Sequence, residues 1–203
     1  MAIENTITKE KELKKISKIH FLVHPGFLSD PVTKDSGETL EDLKKYHKLL
    51  DMYLEQAKKL KDDELMIALT HTDKSEYKEG LEEQSIRFTK LQDLKKILGK
   101  RFIVLSSDFD VFWDEEAMKT IKDLAKQRGY FFDENVLSEA YGETLGVCVD
   151  NVAQNMNETG GFKNKTIIRP ELTDASLYEG YLKSKSIENT KIISKKEHDR
   201  IDF

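Results

Sequence analysis

Only one cysteine and three prolines occur among the 203 residues of this chain. A single cysteine excludes an intramolecular disulfide and fits a reducing cytoplasm better than secretion. Long hydrophobic runs are missing too. No stretch approaches the ~20 apolar residues that a membrane span needs, and the opening residues lack the apolar centre of a signal peptide. The scarcity of proline, with 38% hydrophobic and 35% charged residues, excludes a low-complexity chain and fits solvated helices around a modest core. Positive charge is not in excess: the net charge is −5, so no nucleic-acid surface is expected. Even the lysine-rich opening, Lys9 to Lys18, is interrupted by Glu10 and Glu12 and reads as a solvated helix face. Glycine patterns that cradle phosphates are also lacking. Neither G-x-G-x-x-G nor a P-loop occurs, and Gly160-Gly161 follows a helical stretch instead of opening one. The sequence therefore designates no cofactor.

What is present is an alternation of short apolar runs with helical stripes. The apolar runs are 19–23, 65–69 and 102–106, each ending in polar residues. Weaker strands are expected at 130–133, 166–169 and 190–194. Between them, three-and-four spacing predicts helices from about residue 40 to 60, 75 to 98, 115 to 128, 144 to 158 and 173 to 183. A short helix is also expected at 9–17, using Leu13 and Ile16. Residues 1–8 read as a loose end, 27–38 as a loop over the strand ends, and 134–143 as another loop. Such alternation predicts one three-layer α/β domain over 1–203, with a mainly parallel sheet of five or six strands. The most continuously apolar runs, 19–23, 65–69 and 102–106, are expected as its central neighbours.

Parallel connections bring every strand's carboxyl end to one rim, where ligands bind such sheets. That rim would gather His24, His71, Asp73, Ser107, Asp108 and Asp110, together with the loop around Glu139. Phe27, Phe112 and Trp113 could supply apolar walls for a small-molecule ligand. These groups are taken as ligand contacts, not as a metal centre. Phe109, Phe112 and Trp113 beside the acidic corner also prompt the expectation of a homodimer.

Two stretches carry family resemblances. Asp108-Phe-Asp110 after an apolar strand resembles the first motif of haloacid dehalogenase-like phosphatases. In that family one aspartate attacks phosphorus and the second handles the leaving group. Here the pair lies mid-chain, and Phe112 stands where a small residue is usual. The run Gly142-Glu-Thr-Leu-Gly-Val-Cys-Val149, followed by Asp150-Asn-Val-Ala153, resembles the nucleophile segment of isochorismatase-like cysteine hydrolases. His24-Pro-Gly-Phe27 and Ser107-Asp-Phe-Asp-Val-Phe112 fall where that family carries its aspartate and its lysine. The resemblance implies a parallel α/β sheet, amide hydrolysis and Cys148 as nucleophile. It also exposes departures, because His24 replaces the aspartate and no lysine occupies the position near Ser106 or Ser107. On this basis Cys148, His24 and Asp108 are the catalytic candidates, with His24 or His71 as the available bases. Two classes stay open: a degenerate hydrolase, and a binding or assembly protein without turnover.

Overall fold

A computed structural model describes residues 12–25, 40–71, 86–107, 115–142, 148–158, 160–173 and 191–192. In chain order the elements are β1 (Lys14–Lys15), β2 (Lys18–Val23), α1 (Leu40–Lys59), β3 (Glu64–His71), α2 (Ile86–Leu98), β4 (Phe102–Ser107) and α3 (Glu115–Gln127). They continue with β5 (Tyr130–Phe131), β6 (Leu137–Gly142), α4 (Cys148–Glu158), β7 (Ile167–Ile168) and β8 (Lys191–Ile192). Six strands form one sheet in the order β4-β3-β2-β6-β7-β8, and every adjacent pair is parallel. The expected α/β architecture with a parallel sheet is what the chain adopts.

Period-two alternation along β2 builds two cores. Ile19, Phe21 and Val23 point to one face and join Ile103, Met118, Ile121, Ala125, Val152 and Met156. These come from β4, α3 and α4. Leu22 points to the other face and joins Leu50, Tyr53, Ala57, Leu94 and Leu98 from α1 and α2. The helical stripes thus dock on opposite faces of one sheet, giving three layers.

Several local expectations need correction. Residues 14–15 are extended, not helical, because Lys14 N donates to Gly129 O at 2.9 Å and Ile16 N to Phe131 O at 2.8 Å. Those bonds pair β1 with β5 in a separate two-stranded sheet, so the strand expected at 130–133 lies outside the main one. Residues 137–142 are a strand, not a loop, and that strand lies inside the sheet beside β2. Its polar interior, Ser138 and Glu139, hides the signal. Both are satisfied by distant partners: Ser138 Oγ meets Thr166 Oγ1 at 2.8 Å, and Glu139 meets two cations.

The largest correction concerns 102–107. Among the described residues β4 is an edge strand, not a central one, and Val104 is 43% exposed. Its neighbour Ile103 is fully buried. β2 occupies the centre instead, between β3 and β6. Thr173, where a helix is expected to begin, has extended backbone, and the rest of that helix to 183, the loop at 27–38 and the start of the helix expected from 75 lie outside the described residues.

Candidate functional site

The strand order determines where a ligand crevice can open. From β2 the chain steps outward through α1 to β3 and through α2 to β4, then returns to the far side of β2 at β6. α1 covers one face and α4 the other. That reversal falls between β2 and β6, and the carboxyl ends at such a switch point are the usual ligand position in open parallel sheets.

His24 directly follows β2. Its φ of 48° is a left-handed conformation, which histidine enters more readily than most residues, and Pro25 then keeps the chain from continuing as strand. His24 N donates to Leu69 O at 2.7 Å, which anchors the bend to β3, and the residue is only 3% exposed. Gly142 is the last residue of β6. It pairs with Val23, and a Cβ at Gly142 would lie 2.0 Å from the Val23 carbonyl oxygen at a φ of 144°. Only glycine permits this approach of the two backbones.

Cys148 is the first described residue of α4, which packs on β6 and β2. Helix N-termini favour a thiolate, because the first amide groups and the dipole present positive charge there. The residue nevertheless belongs to the apolar core with Val149 and Val152 and is 7% exposed. His71 and Ser107 end β3 and β4 and are register partners on the same rim, one and two strands away from β2. Asp73, Asp108, Asp110, Phe112 and Trp113, and likewise Phe27 and Phe109, lie outside the described residues.

Glu139 is not on the rim. It sits within β6 on the α1 face, 1% exposed, in a buried charge network that the sequence reading missed. Its Oε1 accepts from Lys18 Nζ at 3.0 Å and its Oε2 from Arg169 Nη1 at 2.9 Å. Arg169 Nε also donates to Glu171 Oε1 at 2.6 Å, and Arg169 N donates to Ala140 O at 3.0 Å. His20, also buried, stands with Nδ1 3.4 Å from Glu139 and Nε2 3.4 Å from Glu64. The only sequence signal for this network was Lys18 and His20 at alternate positions of an otherwise apolar strand.

Electrostatics inside the network are set by competition between burial and charge. Burial would raise the Glu139 carboxyl, but His20, Arg169 and Lys18 outweigh it and hold the group below its ordinary value. Glu64 behaves alike, with burial opposed mainly by His20. Burial also pushes the Tyr141 phenol well up, and the charge of Glu139 adds to the effect. Among the described residues no group of three or more His, Cys, Asp or Glu side chains could hold a metal ion. No helix among them is long and apolar enough to cross a membrane.

No protein-family model matches the chain, and no curated protein matches it.

Proposed function

We propose that the protein binds a small molecule in the crevice beyond β2 and β6, as a divergent isochorismatase-like hydrolase acting on an amide-type compound in the cytoplasm. One observation carries this reading. The strand order reverses between β2 and β6, and the segments leaving these two strands lead to His24 and to Cys148. Two of the three catalytic candidates, His24 and Cys148, thus follow neighbouring strands that are far apart in sequence, while Asp108 lies outside the described residues.

In the catalytic form, the Cys148 thiolate attacks the amide carbon and His24 handles the proton. The tetrahedral intermediate expels the amine to leave a thioester, which water hydrolyses to the carboxylic acid. Amide groups in the first turn of α4 would stabilise the oxyanion. A histidine in place of the family's aspartate and the missing lysine mean that this chemistry has to run with a different base. The apolar setting of Cys148 favours a second form of the proposal, in which the crevice binds the ligand without turnover.

Thiol labelling separates the two forms. Catalysis requires Cys148 to react in the native protein at neutral pH, faster than an ordinary thiol, with protection by a bound amide. Labelling that occurs only after denaturation eliminates the nucleophile. Thermal shifts with a panel of small amides then decide binding: a saturable rise in Tm that His24→Ala reduces supports the crevice, and no rise with any compound removes it.

A further inference from the structure

We propose that Tyr141, His20 and the carboxylates of Glu64 and Glu139 form an internal water-binding site beneath α1. This inference is independent of the crevice and of its chemistry.

Tyr141 is fully buried, and its hydroxyl has no hydrogen-bond partner among the described residues. Buried hydroxyls are almost always partnered, so such an atom demands a physical account. His20 lies beside it, 1% exposed, with the two rings edge-on at 6.1 Å between centroids. Neither imidazole nitrogen makes a well-aligned hydrogen bond. Both stand 3.4 Å from a carboxylate oxygen, beyond the ~2.7–2.9 Å of a charge-assisted bond. The strand register explains the clustering. His20 pairs with Glu139, and Tyr141 lies two residues farther along β6 on the same face. The charges of Glu139, Glu64 and Arg169 all reach the phenol.

The chemistry of the cluster selects the occupant. A metal ion is disfavoured, since no group of three or more ligating side chains is suitably placed among the described residues. An anion is disfavoured because the carboxylates of Glu64, Glu139 and Glu171 outnumber the cations Lys18 and Arg169 around the cluster. What these atoms need is a small neutral molecule that both donates and accepts. Water does this: it can accept from the phenol and donate to a carboxylate or to an imidazole nitrogen. A buried water typically makes ~3 hydrogen bonds to groups of this kind. Glu64 is the most exposed member, its side chain 11% accessible, so exchange with solvent would pass on its side of the cluster.

Two measurements on the full chain test the site. Water-selective NMR should show a long-lived water contacting the carbon-bound protons of the His20 ring. Tyr141→Phe should abolish that signal while leaving the amide spectrum folded. A crystal structure of the wild-type protein should place a water oxygen within about 3.2 Å of Tyr141 Oη and of a His20 nitrogen or a glutamate oxygen. The proposal is overturned by the absence of the signal in the folded wild-type protein, by its survival at full intensity in Tyr141→Phe, or by a direct bond from Tyr141 Oη to a carboxylate. If Tyr141→Phe does not fold, the wild-type crystal structure alone decides.

Discussion

Glu139 and Arg169 meet at 2.9 Å with both side chains almost wholly removed from solvent, 2% and 7% exposed. One belongs to β6, next to the centre of the sheet, and the other follows β7, so the pair ties the inner sheet to the turn at 170–172. Arg169 is gripped at three further points. Its N donates to Ala140 O, its O accepts from Thr173 Oγ1 at 2.8 Å, and its Nε donates to Glu171. An ion pair in this setting contributes little relative to a well-packed apolar pair, yet losing one partner is costly.

Arg169→Met should therefore destabilise the protein by about 3–5 kcal/mol, because it leaves a buried carboxylate with weaker compensation. Adding Glu139→Gln to that variant should recover part of the loss. Urea unfolding of both single variants and the double variant measures the coupling, and strict additivity would mean that the two side chains do not cooperate.

Acid should weaken the same network. Glu139 and Glu64 both titrate below their ordinary value of 4.5 in the folded protein. Their contribution to stability is complete above that value, where the unfolded chain is also ionised. It is lost as pH falls below 4.5 and through their folded-state values, since the unfolded state then takes up protons first. Glu139→Gln should flatten this acid limb of the stability curve. An unchanged slope between neutral pH and pH 3 (roughly the span over which glutamates titrate) would contradict it.

Gly142→Ala should be destabilising by about 1–3 kcal/mol or more, through positive φ and overlap with the Val23 carbonyl. Gly142 ends β6, where the ligand is proposed to bind, so on that proposal ligand binding should suffer along with Tm. Gly129→Ala provides a control, because its φ of 91° is also positive but no atom lies within 4 Å of the added Cβ. Calorimetry should therefore find the Gly142 variant the less stable of the two. The reverse order would argue against close β2–β6 approach.

Neighbouring residues on β4 should respond very differently. Ile103→Ala empties a fully buried position and should cost about 2–5 kcal/mol. Val104→Thr, at a site 43% exposed on an edge strand, should stay within about 0.5 kcal/mol. Denaturant midpoints for the two variants check this. Equal losses would place β4 inside the sheet after all.

Sequence alone determined the fold class and most of the elements. Helical stripes such as Leu50, Tyr53 and Ala57, and apolar runs such as 65–69, are local patterns imposed by the helix and strand periods. Capping and turn residues are equally local, as Gly129 after α3 and Pro25 after β2 illustrate. Tertiary structure decided which strands are neighbours. An apolar run records burial, but the order of strands depends on how helices pack over both faces. Phe102 to Leu105 thus read as central and yet, among the described residues, line the sheet edge. Leu137 to Gly142 failed as a strand signal for the opposite reason: partners as distant as Lys18 and Arg169 satisfy a polar side chain within it. The same distance effect governs the candidate site. His24 and Cys148 were visible as residue types, but only the pairing of β2 with β6 makes neighbours of the strands that precede them.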